Sequence, residues 1–233
     1  MDTIEEIEYK GYTIKIHYDE DCQDSPRDWD NLGTMMCIHN RYSLGDEHNY
    51  RNPVDFLTNL ISELPEKEIK KILLTISGLS DTDKEEIREE PIDFLEDAFV
   101  NCREDFEFCL SALEKYYIFL PLYLYDHSGI TMNTTGFSCR WDSGQVGLIY
   151  VSNKNIKKEY SRKIMTKKLR ERVHNLLKSE VEIYDSYIKG EVYGYEIEKE
   201  EEHVESCWGF VGNYDYVVSE AKSIIDHMCK EEK

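Results

Sequence analysis

Residues 121–152, PLYLYDHSGITMNTTGFSCRWDSGQVGLIYVS, place two apolar runs on either side of a loop dense in Asp, His, Ser, Thr, Cys and Gly. The runs at 116–125 and 145–152 are rich in aromatic and β-branched residues, and that composition predicts strands. Two such strands commit the chain to a sheet. Polar side chains that strands deliver to a sheet edge are where sites form, so the loop between them is the first place to look for one.

The flanking sequence predicts what packs on the sheet. Tyr12, Ile14, Ile16 and Tyr18 alternate with Thr13, Lys15 and His17, the two-residue period of a half-buried strand, and Lys10-Gly11 suits a hairpin turn before it. Asp19, Glu20, Asp21, Asp24, Pro26, Asp28 and Asp30 predict a solvated loop, and residues 32–39 a buried strand. Val54, Leu57, Leu60, Ile61 and Leu64 fall at helical spacing behind Pro53, with Asn52 as cap. A second helical region starts near Ser80 and breaks at Pro91. It resumes with Phe94, Leu95, Ala98, Phe99, Cys102, Phe106, Cys109, Leu110 and Leu113 on one stripe. Further on, Leu169, Val173, Leu176, Leu177, Val181, Tyr184 and Ile188 mark an amphipathic helix opened by Thr166 and closed by Gly190. Residues 193–197 and 204–210 read as two arms of a hairpin, and Val217, Val218, Ala221, Ile224, Ile225 and Met228 as a last helix. The expected architecture is one α+β domain over 1–233, with a mostly antiparallel sheet of about six strands, packed helices and a helical insertion at 53–115.

Charge narrows the function. The chain carries 48 acidic against 28 basic residues, a net charge of −20, where a small domain is comfortable at a magnitude of about 2–8. The bases are concentrated: Lys154, Lys157, Lys158, Arg162, Lys163, Lys167, Lys168, Arg170, Arg172 and Lys178 share their stretch with only Glu159 and Glu171. No apolar run approaches the roughly 18–20 residues of a membrane span. The opening MDTIEEIEYK is acidic where a secretory signal is basic and then apolar. The cysteines, Cys22, Cys37, Cys102, Cys109, Cys139, Cys207 and Cys229, are odd in number and include no CxxC. Reduced thiols in a cytoplasm, with no membrane contact, are therefore expected, and no cofactor.

Five motifs carry a resemblance: DNLGTM at 30–35, YDHSGITM at 125–132, WDSGQVGLIYV at 141–151, YDSYIKGEVYGYEIE at 184–198 and SCWGF at 206–210. Together they resemble a family encoded by phages and other bacterial mobile elements; residues 80–113 carry none of the likeness. The resemblance implies a genomic setting and no catalytic residues. Accessory proteins of such elements often act on host restriction or CRISPR systems, so the implied partner is a host defence protein or nuclease complex.

An acidic surface supplies a means, because rows of carboxylates on a rigid scaffold imitate the phosphates of duplex DNA. The candidate contacts are Glu85, Glu86, Glu89, Glu90, Asp93, Glu96, Asp97, Glu104, Asp105 and Glu107; ordinary solubilising surface is the plainer account of the same residues. The basic cluster points to direct nucleic-acid contact, or to a solvated helix face, and Tyr160 is its one aromatic. A hydrolase would centre on the loop, with Cys139 as nucleophile and His127, Asp126 and Asp142 to activate and orient it. Alternatively Asp126, His127, Asp142 and His39 would hold a cation, although no metal motif is present. Last, Ser128, Thr131, Thr134, Trp141, Ser143 and Gln145 would line a polar pocket for a nucleotide messenger, with the amides of Gly129, Gly144 and Gly147 near its phosphates. Turn-forming residues that satisfy their own backbone are the competing account of that loop.

Overall fold

The computed structural model describes residues 3–22, 24–98 and 103–231, excluding the side chains of Glu96, Asp97, Arg103, Glu104 and Glu231. The chain opens with the hairpin of β1 (Thr3–Tyr9) and β2 (Tyr12–Tyr18). Lys10 and Gly11 turn it with φ of 53° and 82°, both left-handed as a two-residue turn between twisted strands requires. A single 3-10 turn at Pro26–Asp28 precedes β3 (Thr34–Cys37). Five helices follow: α1 (Pro53–Ser62), α2 (Glu66–Leu73), α3 (Asp81–Glu89), α4 (Pro91–Ala98) and α5 (Arg103–Leu113). Then come β4 (Tyr117–Asp126), β5 (Ile130–Asn133), β6 (Ser143–Ser152), α6 (Asn153–Glu159) and α7 (Lys167–Ile188). The strands β7 (Val192–Lys199) and β8 (Glu202–Val211) and the helix α8 (Tyr214–Glu231) complete the order.

The fold is α+β as expected, but among the described residues there are eight strands in two four-stranded antiparallel sheets rather than about six in one. One sheet runs β1-β2-β7-β8 and the other β3-β6-β4-β5. The chain divides into two compact units, one of Met1–Asn31, Leu122–Gln145 and Asn175–Lys233, the other of Leu32–Pro121 and Val146–His174. No helix among the described residues is long and apolar enough to cross a membrane.

In the first unit the alternation read from β2 is the packing pattern. Tyr12, Ile14 and Ile16, with Tyr195 and Ile197 of β7, are buried under Val217, Ala221 and Ile225 of α8. Those helix positions are four residues apart and share one face. The opposite face differs from expectation at His17, which is 6% exposed and lies 5.7 Å from the ring of Trp208. Neither of its ring nitrogens has a hydrogen-bond partner. The acidic stretch before β3 differs too. Arg27 of the 3-10 turn meets Glu180 of α7 at 3.4 Å, with both side chains buried. The loop is anchored there and at Asp19, whose carboxylate accepts the Gly209 amide at 3.0 Å, while Glu20, Asp21, Asp24, Asp28 and Asp30 stay exposed.

In the second unit the helices at 53–115 pack on strands. Their buried Phe56, Leu57, Leu60, Ile61, Ile69, Leu73, Ile87, Leu95 and Leu113 share a core with Met36 of β3, Tyr117 of β4 and Leu148 of β6. Local chemistry sets the boundaries. Asn52 accepts the amide of Asp55 at 2.8 Å, Pro53 fills the first helical position, and Ser80 and Asp83 form a reciprocal capping box. Phe99 and Cys102, placed by the sequence on the helical stripe, lie outside the described residues. Gly147 is fixed by strand pairing: it faces Cys37, and a Cβ there would come 1.9 Å from the carbonyl oxygen of Met36.

The turn joining β7 to β8 is made by Glu200 and Glu201, at φ of 53° and 66°. A left-handed conformation costs an L-residue with a Cβ roughly 1–2 kcal/mol. Replacing the pair by Asn-Gly, the preferred sequence of that turn, should raise stability by about 1–2 kcal/mol. Urea unfolding of the Glu200→Asn/Glu201→Gly protein measures this, and an unchanged or lower midpoint would refute the turn geometry.

Candidate functional site

The polar loop of the first unit is tied up largely by its own backbone. Strand β5 returns along β4 with Asp126 opposite Ile130, closed by the hydrogen bond from the His127 amide to the Gly129 carbonyl at 3.0 Å. Asn133 accepts the amides of Thr135 and Gly136. Ser143 donates to the Cys139 carbonyl. Asp185 of α7 accepts the Thr131 hydroxyl at 2.7 Å and the Met132 amide at 2.6 Å. Thr131 and Ser143 therefore hold the loop, while Trp141 stands out of it at 96% exposure and Ser128, Gly144 and Gln145 are exposed. Gly147, suggested beside phosphates, belongs to the β3–β6 pairing instead.

Cys139, His127 and Asp142 do come together. Asp142 Oδ2 lies 3.5 Å from His127 Nδ1 and 3.5 Å from Cys139 Sγ. The carboxylate thus stands between imidazole and thiol, whereas a thiol nucleophile needs the imidazole beside the sulfur and the carboxylate behind it. Asp126 gives its amide to the Asp142 carbonyl. The cation site built on Asp126, His127, Asp142 and His39 is not formed: among the described residues no three His, Cys, Asp or Glu side chains gather as a metal ion requires. His39 accepts the Arg41 amide and stacks on Tyr42 at 5.2 Å.

The acidic candidates sit on the helices of the second unit. Glu85, Glu86, Glu89 and Glu90 on or just after α3, Asp93 on α4 and Glu107 on α5 are exposed. The first five have no ion pair among the described residues, whereas Asp105 is half-buried and engaged. The side chains of Glu96, Asp97 and Glu104 lie outside the described residues.

The same unit holds a cleft that sequence reasoning missed. It encloses about 710 Å³ and is lined by Glu63 and Leu64 after α1, by Tyr116 and Tyr117 at the start of β4, by Tyr150 of β6, and by Lys115, Lys154 and Lys157. Asn153 sets its geometry. Its amide donates to the Tyr116 carbonyl at 2.7 Å, its side chain donates to the Lys115 carbonyl at 2.7 Å, and its oxygen accepts from Arg170 at 3.4 Å. Ser152 caps α6 through the Asn155 amide, so Lys154 and Lys157, three residues apart, project on one side of that helix. The wall is aromatic: Tyr150 lies 6.2 Å from Tyr117 and 5.0 Å from Phe56.

Three phenols here resist ionisation. Burial, then the nearby Glu63, pushes Tyr117 up to about 12. Burial, then Tyr50, does the same to Tyr150, and burial with the Glu68 contact at 2.5 Å does it to Tyr116. The cleft therefore brings three lysines and Glu63 to an aromatic wall in which the phenol protons of Tyr116 and Tyr117 are directed at Glu68 and Glu63. Only the tyrosine doublet at 116–117 and the basic run were visible in sequence, and nothing there paired them with Glu63.

The sign of the pH effect follows. Phenols held protonated in the folded state to about 12 ionise near 10 in the unfolded chain. Their contribution to stability is full below pH 10 and is lost as pH rises towards about 12. Urea unfolding across that window should show the decline, and Tyr117→Phe/Tyr150→Phe should make it shallower. Glu63→Gln should lower the Tyr117 titration seen by ultraviolet absorbance; an unchanged profile would separate Glu63 from the cleft.

Comparison with protein-family profiles, curated proteins and solved structures finds no match to this chain.

Proposed function

We propose that this is a binding protein whose aromatic cleft takes a small anion with a flat ring, of the nucleotide class. One observation carries the reading: on a chain of net charge −20, Lys115, Lys154 and Lys157 converge on the tyrosine-lined cleft against the single carboxylate of Glu63. Its size is that of a ligand pocket, which typically runs to about 300–1,000 Å³. Lysines act on phosphate as mobile point charges, the tyrosine rings offer apolar faces to a flat ring, and Glu63 accepts from ring or sugar donors.

Titration calorimetry with nucleoside monophosphates, the parent nucleosides and inorganic phosphate tests this. Nucleotides should bind best. Reversing Lys154 and Lys157 to Glu should weaken them by roughly 10- to 100-fold, the scale of losing charge-assisted hydrogen bonds. Equal binding of nucleoside and nucleotide, or indifference to the reversals, would end the proposal.

A second reading rests on the acidic helices and the resemblance to phage-encoded proteins. In it the exposed Glu85, Glu86, Glu89, Glu90 and Asp93 engage the basic groove of a host nucleic-acid-directed defence complex, as an anti-restriction or anti-CRISPR protein acting as a DNA mimic would. The protein should then co-elute with a DNA-handling partner from a bacterial lysate, and duplex DNA should displace it. Reversing those five charges should abolish protection of phage in restricting hosts; retained protection would refute mimicry.

A further inference from the structure

Resting on the cleft reading, we propose that the cleft holds one nucleotide of a single-stranded nucleic acid, with the neighbouring phosphates lying along the basic surface of α6, the following loop and the first turns of α7.

The cleft does not end at Lys154 and Lys157, because both belong to the basic run. Three contacts fold that run into one compact surface. The Arg162 amide donates to the Lys157 carbonyl at 2.8 Å, turning the loop back over the end of α6. The Arg172 guanidinium lies 4.9 Å from the Tyr160 ring centroid, and Arg170 reaches Asn153 at the start of α6. Helix α7 is thereby held against both ends of α6.

Lys158, Arg162, Lys163, Lys167 and Lys168 are exposed on this surface. Its one ion pair among the described residues, Lys167–Glu171, is 3.9 Å long between side chains 92% and 63% exposed, too loose to neutralise anything. A mononucleotide would leave all five unused. A polyanion would use them, releasing counterions as it binds.

The cleft decides the strand state. A base can enter a side-chain-lined cleft only when it is unstacked and unpaired, which a single strand permits and a duplex does not. It also weighs against a lipid surface. Ile164, 73% exposed, is the one large apolar side chain standing out among these bases, whereas membrane-seated basic helices bury a whole apolar face.

The test uses the full chain with oligo(dT) and oligo(U) of increasing length, the mononucleotides, a duplex and phosphatidylserine vesicles, each at several salt concentrations. Affinity should rise at least tenfold between one nucleotide and roughly six. The salt dependence should steepen by about 0.7 in log–log slope for each phosphate engaged. Reversing Lys163, Lys167 and Lys168 to Glu should remove the gain with length, leaving mononucleotide binding and the denaturation midpoint unchanged. Mononucleotide binding without a gain with length overturns the polymer proposal and leaves the cleft reading standing. Duplex or vesicles bound as tightly as single strands also overturn it. Binding of neither mononucleotide nor oligonucleotide overturns both.

Discussion

The pairing of β2 with β7 is the constraint on which the first unit depends. Thr13 lies opposite Glu198, Ile14 opposite Ile197 and Tyr18 opposite Tyr193, so residues separated by most of the chain share one ladder. The register decides which side chains α8 covers, because a slip by one position would turn Ile14 and Ile16 outward and put Thr13 and Lys15 in the core. It also places charge. Lys15 meets Glu198 at 2.7 Å across this ladder, and Glu196 lies opposite Lys15. The strands that fix the hydrophobic face fix the polar one, which includes the buried His17 beside Trp208, with Glu196 3.7 Å from its Nε2.

In the second unit the organising residue is Asn153. Its three hydrogen bonds reach the end of the α5–β4 connection on one side and α7 on the other. That bracing sets the start of α6, with Lys154 and Lys157, at the edge of the tyrosine-lined cleft. The polar loop at 126–145 has similar chemical variety but spends it inward, on Asp185, the Cys139 carbonyl and the turn at Asn133. The difference between the two places is whether polar atoms remain available after the backbone has been satisfied.

What the sequence revealed follows the strength of local signals. Alternation at 12–18, the Asn52-Pro53 start and the Thr166 cap are written in adjacent residues, and the elements begin there. Weak periodicity hid others: α6 has Ile156 as its one buried residue, α2 is eight residues behind Pro65, and β5 is four residues inside a polar stretch. Arg27 falls within the stretch whose acidic residues predict a solvated loop, and its partner Glu180 is distant in sequence. The cleft was illegible for the same reason. Its tyrosines read as strand aromatics and its lysines as a charged run, and only tertiary structure sets Glu63 beside them.

The division of the chain has a practical consequence for anyone dissecting it. Each compact unit is assembled from separate stretches, and the backbone changes unit at 31/32, 121/122, 145/146 and 174/175. No single cut releases either unit intact, since every terminal truncation long enough to remove one also strips strands or helices from the other. Roles must therefore be separated by single-residue exchange, and loss of binding in a shortened protein would report collapse of the scaffold before it reported anything about a surface.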